Sequence, residues 1–179
     1  MLACGGDKMI KTERLMIRRV ESDDWRDIQN IWLDESSSQY AQYDNIKELD
    51  DKSVSDRIAV WAKEAKANDH IFFAICLDKD IIGYISLNRS EASYEIGYCF
   101  HSNFHGKGYA KESILAVIPF LKSIGVSRVT AGTAINNIPS IRLLSSLGFK
   151  QIGTEKVSFY KDSNGNDIFF DGGVFELEL

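Results

Sequence analysis

No stretch of this chain is apolar for long enough to cross a bilayer. The longest uncharged apolar runs, residues 71–77 and 114–121, are seven and eight residues long, where a spanning helix needs roughly 20. Proline is scarce, with two residues, and the 13 glycines show no period, which excludes collagen-like and linker-rich chains. Basic residues are in deficit: 21 Lys and Arg against 26 Asp and Glu leave a net charge of −5. Without a basic tract there is nothing to neutralise a phosphate backbone, so neither nucleic acid nor a membrane is expected as a partner. The three cysteines, Cys4, Cys76 and Cys99, are odd in number and scattered. They suit a reducing cytoplasm rather than a disulfide framework, and none has metal-ligand spacing. His70, His101 and His105 form no metal signature either.

What is present is an ordinary globular composition, 44% apolar and 26% charged over 179 residues, enough for one domain with a sizeable core. Residues 11–179 are expected to form that domain. Residues 1–10 read as a disordered extension: the Leu2, Ala3, Cys4, Gly5 run has no apolar stretch before it to act as a signal segment, and Met9 stands just before the first patterned residues.

Both hydrophobic periods alternate along the chain. Leu15, Ile17 and Val20 mark a first strand. Ser22 suits an N-cap, with Asp23 and Asp24 in the first turn of a helix burying Trp25, Ile28, Ile31 and Trp32. Residues 34–50 are polar and read as a loop or short helix. A second helix over 51–67 buries Val54, Ile58 and Trp61. Residues 71–77, 81–88 and 93–100 form a meander with short separators. In its third strand Tyr94, Ile96, Tyr98 and Phe100 share one face, and Glu95, Gly97 and Cys99 the other. Then come a helix over 108–125, which Pro119 is expected to kink, a strand over 128–135, a short helix over 137–147 and a hairpin over 151–177. The expected fold is α/β or α+β, a mixed and mostly antiparallel sheet of about seven strands with helices on both faces.

Chemistry concentrates after the third meander strand. His105, Gly106, Lys107, Gly108, Tyr109 and Ala110 form a glycine-punctuated loop that opens straight into a helix. Backbone N–H groups and the positive helix end then converge on one spot, a site for an anion such as a diphosphate. The glycines permit close approach and positive φ, and Lys107 adds a mobile charge. A Walker loop is excluded because no Gly-Lys-Ser/Thr ending is present, and a dinucleotide fingerprint because the third glycine is missing. One strand later Asn137, Ser140, Leu147, Gly148 and Phe149 mark a second helix start and stop.

These two motifs in this order resemble the GNAT superfamily of acyl-CoA N-acyltransferases, in the branch of the ribosomal-protein-alanine N-acetyltransferases. The family loop Gln/Arg-x-x-Gly-x-Gly/Ala is matched except at its first position, where His105 stands; the Asn-x-x-Ser and Leu-Gly-Phe positions are matched by Asn137, Ser140 and 147–149. Thr12 to Leu15 and Glu95 to Tyr98 are also similar to that branch. The resemblance implies an enzyme with acetyl-CoA as cosubstrate and no metal. Backbone at Cys99 and Phe100 would pair with the pantetheine arm as an added strand. The amides of His105, Gly106, Lys107, Gly108, Tyr109 and Ala110 would hold the diphosphate, and Asn137 would contact the pantetheine.

Direct transfer needs a neutral amine, donors for the oxyanion and a proton for the departing thiolate. Ser140 is the candidate acid, with helix capping as its plainer role. Glu95 is the candidate base, with a structural or amine-binding carboxylate as the alternative. Cys99 has no histidine at a recognisable spacing, which argues against a covalent acyl-enzyme. Tyr40 and Tyr43 are candidates for the acceptor wall. The acceptor is expected to be a primary amine, a protein N-terminus ahead of a polyamine or aminoglycoside. A non-catalytic CoA-binding regulatory module, a nucleotide-binding protein and a homodimer stay open at this level.

Overall fold

The computed structural model describes residues 9–45, 47–64, 69–90 and 93–179. The elements run β1 (Ile10–Lys11), β2 (Met16–Arg19), α1 (Trp25–Ser36), α2 (Asp51–Glu64), β3 (His70–Leu77), β4 (Asp80–Ser90), β5 (Ser93–Phe100), α3 (Tyr109–Ser123), β6 (Arg128–Ala134), α4 (Ile138–Ser146), β7 (Lys150–Lys161) and β8 (Asp167–Glu178). Short 3₁₀ turns lie at Ser22–Asp24, Ala41–Tyr43 and Ser102–Phe104.

The strands form one sheet in the order β1-β2-β3-β4-β5-β6-β8-β7, antiparallel throughout except for the β5–β6 pair. The sheet has eight strands where about seven are expected. The addition is β1, two residues pairing Ile10 with Ile17 and Lys11 with Met16, too short to carry a hydrophobic period. Ile10 is thus part of the sheet and Met9 is exposed before it, while residues 1–8 of the expected N-terminal extension lie outside the described residues.

β3 explains why the sheet needs two cores. Ile71, Phe73 and Ile75 point to one side, where Ile114, Val117 and Leu121 of α3 and Leu144 of α4 cover them. Phe72, Ala74 and Cys76 point to the other, under Ile28, Ile31 and Trp32 of α1 and Val54 and Ile58 of α2. A strand buried on both faces reads as a continuous apolar run rather than an alternation. Trp61 of α2 stacks on Phe72 at 4.2 Å between ring centroids, and the Trp32 indole donates to the Tyr84 hydroxyl at 3.0 Å. Ile82 is the extra residue of a bulge opposite Ile75 and Cys76.

The start of α1 differs from expectation. Ser22 does not cap it. A 3₁₀ turn comes first, and the Glu21 N–H donates to the Asp24 carboxylate at 2.8 Å. Arg18 grips the same carboxylate with two bonds of 2.7 Å. This charge-assisted bidentate pair fixes the 3₁₀ turn over Ser22–Asp24, so the α-helix begins only at Trp25. The polar region begins as a continuation of α1 to Ser36. α2 is described to Glu64, and the expected continuation to 67 falls outside the described residues. α3 continues through Pro119. Among the described residues no helix is long and apolar enough to cross a membrane.

Candidate active site

Among the described residues β5 and β6 pair as strands at Tyr94–Val129 and Glu95–Thr130 alone. Beyond that point β5 follows β4 as far as Phe100, while β6 follows β8 as far as Ala134. The sheet therefore opens into a V, with a cleft of about 1040 Å³, at the upper end of the usual range for ligand pockets, roughly 300–1,000 Å³. Ten of the eleven catalytic and cofactor-binding candidates line it: Glu95, Cys99, Phe100, His105, Gly106, Gly108, Tyr109, Ala110, Asn137 and Ser140. Lys107 does not. Its ammonium donates to the Asn103 carbonyl at 2.9 Å and sits over the Phe104 ring.

Strand alternation refines the expectation for β5. The His101 N–H donates to the Ile82 carbonyl at 3.0 Å, so Cys99 and Gly97, in the same phase, turn their backbone groups toward β4. The groups facing the open side are those of Tyr98 and Phe100, and the Phe100 carbonyl already meets His105 Nε2 at 2.7 Å. The free edge is centred on Tyr98 rather than Cys99.

At one end of the V lies the start of α3. Gly106 and Gly108 have φ of +72° and +82°, the left-handed region that favours glycine. Gly108 occupies the N-cap without a side chain to cap the helix. The Glu112 N–H bonds the Gly108 carbonyl, so the amides of Tyr109, Ala110 and Lys111 belong to the orphan donors of a helix start. His105 departs from expectation: its N–H donates to the Ser102 carbonyl at 3.0 Å and is spent within the preceding turn. The run of amides that could meet an anion therefore begins after His105 and extends to Lys111.

Two residues far away in the chain hold this loop, and neither role has a local signal in the sequence. Asp34, at the end of α1, accepts from the Ser102 N–H at 2.7 Å and hydroxyl at 2.6 Å. Burial opposes its charge, but the Ser102 hydrogen bonds prevail and hold its carboxyl below the usual aspartate value. Arg14 donates to the Lys107 carbonyl at 3.0 Å, pairs with Glu112 and lies over the Tyr109 ring at 4.4 Å.

At the other side of the V, α4 starts with Asn137 as its N-cap, and the Asn137 side-chain carbonyl accepts from the Ser140 N–H at 3.3 Å. The cap is thus Asn137, leaving its amide NH₂ free for a ligand, and the Ser140 hydroxyl has another partner. It lies 2.8 Å from the Tyr98 hydroxyl, across 42 residues of sequence.

On the α1–α2 face, Glu95, Gly97 and Cys99 look into the cleft beside Ser86 and Asn88. The Cys99 thiol is pushed up to about 12 by burial, with the Glu35 charge adding to it, so it is almost entirely protonated at neutral pH. Lys47 joins Glu35 at 2.8 Å and also Asp44. Burial raises the Glu35 carboxyl. Burial also works against the Lys47 charge, yet its two carboxylate partners outweigh it and hold the ammonium above the ordinary lysine value. The triad carries one net negative charge. Above it, Tyr43 packs edge-on against Phe170 at 5.1 Å, Asn136 donates to the Tyr43 hydroxyl at 3.3 Å, and the Tyr160 hydroxyl donates to the Ala41 carbonyl at 3.0 Å. The 41–43 turn thus bridges the two half-sheets. Tyr40 and Tyr43 both line the cleft.

An open parallel pair, the amides of a helix start and a paired hydroxyl thus face one cleft, an arrangement with the chemistry to accept a long anionic ligand. The acetyltransferase (GNAT) domain family model matches residues 14–150. The uncharacterized N-acetyltransferase YnaD of Bacillus subtilis (strain 168) is 30% identical over 165 residues, 90% of this chain and 94% of that protein. The chain belongs to the GNAT acetyltransferase family. Its fold is shared with the ribosomal-protein-S5-alanine acetyltransferase of Vibrio fischeri, at a TM-score of 0.80 and 21% identity over 96% of this chain and 97% of the other. It is shared too with the microcin C7 self-immunity acetyltransferase MccE, whose structure holds acetyl-CoA and AMP, at a TM-score of 0.79 and 16% identity over 94% of each chain.

Proposed function

We propose that this chain moves an acetyl group from acetyl-CoA to a primary amine by direct attack in a ternary complex, and that the preferred acceptor is a protein N-terminus. The observation that carries this reading is the V between β5 and β6, with the amides of the α3 start at one wall and the Ser140 hydroxyl at the other. The residues present fit acetyl-CoA. The amides from Gly106 to Lys111 suit its diphosphate, the free β5 edge at Tyr98 suits an extended pantetheine arm, and the Asn137 amide can meet that arm. The relationship to MccE, whose structure holds acetyl-CoA, supports the donor. The relationship to an S5-alanine acetyltransferase supports an α-amine acceptor.

The donor enters beside α3 and α4, and the amine from the α1–α2 face. Glu95 and the Glu35–Asp44–Lys47 triad give that face an excess of negative charge, which suits a cationic amine. An α-amino group has a pKa of about 7.7–8.0, so a modest base completes its deprotonation; Glu95, directly or through water, takes that proton. The amine nitrogen attacks the thioester carbonyl, and open-edge backbone donors of β5 steady the oxyanion. The C–S bond breaks, and Ser140 delivers the proton to the thiolate. The protonated Cys99 thiol supports attack without an acyl-enzyme.

The test is acceptor-dependent thiol release from acetyl-CoA over N-terminal peptides, spermidine and an aminoglycoside. Turnover led by the peptides is expected. Turnover led by either other amine overturns the acceptor, and CoA binding without any release overturns the enzyme reading in favour of a regulatory module.

A further inference from the structure

The proton donor proposed for the leaving thiolate raises a difficulty of its own. An aliphatic hydroxyl is about as weak an acid as water, far weaker than the thiol it must protonate, at about 8.5. Unaided proton loss from Ser140 would leave an alkoxide far less stable than the thiolate it relieves. A serine works here only if its own proton is replaced as it leaves.

The structure holds that replacement. Tyr98 sits on the inner face of β5 against the α3–α4 core, and its hydroxyl meets Ser140 Oγ at 2.8 Å, the single hydrogen bond recorded for either hydroxyl among the described residues. A phenol with a reference pKa of about 10 is a far better proton source than an alcohol. Burial pushes the Tyr98 phenol up, so it rests in the neutral form and its proton moves only in concert with that of Ser140, without a standing phenolate. With Tyr98 donating to Ser140, the serine hydroxyl hydrogen is left to point into the cleft. The Ser140 N–H donates to the Asn137 side-chain carbonyl, which fixes the residue's backbone, while among the described residues the hydroxyl itself is held by Tyr98.

We infer that Tyr98 is a positioning and relay residue that acts through Ser140, orienting its hydroxyl and replacing its proton as the thiolate leaves. This rests on the reading of Ser140 as the thiolate's proton donor. As the C–S bond breaks, the sulfur takes the Ser140 proton, and Ser140 Oγ takes the Tyr98 proton. The proton that leaves Tyr98 is replaced along the reverse path from water in the cleft, which in turn receives, by way of Glu95, the proton the amine gives up. Atoms and charge balance with no further reactant.

The experiment measures kcat and KM, from pH 6.5 to 10, for the wild type, Tyr98→Phe, Ser140→Ala and the double variant, with thermal melting as a fold control. Tyr98→Phe keeps the ring and should lower kcat about tenfold at pH 7, with both KM values within about twofold. General acid catalysis is worth 10²–10⁴ in favourable cases, and Ser140→Ala should cost about a hundredfold. The double variant should match Ser140→Ala within about twofold, because two residues acting as one unit are not additive. The Tyr98→Phe deficit should narrow above about pH 8.5, where the product thiolate needs no proton.

A deficit that stays constant with pH, or that persists in full on top of Ser140→Ala, overturns the relay and leaves Tyr98 as packing. A Ser140→Ala enzyme with wild-type kcat overturns the donor reading itself. A defective Ser140→Ala enzyme beside a normal Tyr98→Phe enzyme overturns the relay alone. Should Tyr98→Phe melt early, 3-fluorotyrosine at position 98 restores the hydroxyl and ring, and activity that fails to recover with it also overturns the relay.

Discussion

Substituting Gly108 by valine probes the nest at the start of α3. Gly108 is in the left-handed region, at φ +82°, where a residue with a Cβ pays about 1–2 kcal/mol. Space is not the main obstacle, because a Cβ at this position would lie 3.5 Å from Arg14 Nη2, an ordinary contact. The branch methyls would press on the guanidinium that holds the Lys107 carbonyl. Both effects are relieved if residue 108 leaves the left-handed region, and that rotation turns the amides of 108 and 109 away from the cleft. A hydrogen bond to a charged group is worth about 1.5–3 kcal/mol. Losing two costs about 3–6 kcal/mol, or a rise in Kd of roughly 10² to 10⁴ at 1.4 kcal/mol per decade. The stability loss of about 1–2 kcal/mol should lower the melting temperature by only about 2–8 °C for a chain of this size. Isothermal titration with CoA and with pantetheine separates the terms. CoA binding should collapse while pantetheine, which has no diphosphate, binds as weakly to the variant as to the wild type. Unchanged CoA affinity in a folded variant would refute the amide nest.

Three further outcomes follow from the same structure. Asp34→Asn removes the charged acceptor for Ser102 and should cost about 1.5–3 kcal/mol along with several-fold in CoA affinity. Because the folded pKa of Asp34 is lowered, its stabilisation is complete above the unfolded value near 3.8 and is lost as pH falls through the lower folded value; urea midpoints at pH 7 and pH 3 should converge for wild type and variant. Lys47→Met leaves Glu35 and Asp44 facing each other without their cation and should destabilise by about 2 kcal/mol, less than the 3–5 of a fully buried pair because Asp44 is half exposed; an unchanged unfolding curve would show that the triad is slack. Gly83→Ala puts a Cβ 2.3 Å from Phe100 Cδ1 and 2.7 Å from the Cys99 carbonyl, so overpacking of about 1–3 kcal/mol should appear in the melting temperature; a wild-type melt would contradict that contact.

Much of this was readable from the chain because the signals were local. The meander strands, the glycine pair at 106 and 108 and the helix beginning at Asn137 each follow from residues adjacent in sequence. What was not readable depends on partners brought from afar. The His105 N–H is consumed by a turn whose anchor, Asp34, lies 68 residues before Ser102. Tyr98 carries the pattern of a core residue, and only its approach to Ser140, 42 residues on, gives its hydroxyl a task. Residues 34–50 read as a polar loop because the Lys47 triad pairs charges across irregular backbone, which leaves no period. Ser22 is an acceptable cap by residue type, but the Asp24 carboxylate, held by Arg18 from the neighbouring strand, turns back to the Glu21 N–H and a 3₁₀ turn precedes the helix.

The central claim is that backbone amides from Gly106 to Lys111, and not the His105 amide, grip the diphosphate of acetyl-CoA. Amide-detected NMR on uniformly ¹⁵N-labelled protein tests it most directly, titrating CoA in one series and pantetheine in another. The account predicts large shifts at Gly106, Gly108, Tyr109 and Ala110 with CoA alone, with His105 little moved. Shifts of equal size from pantetheine, or none at the α3 start, would contradict it.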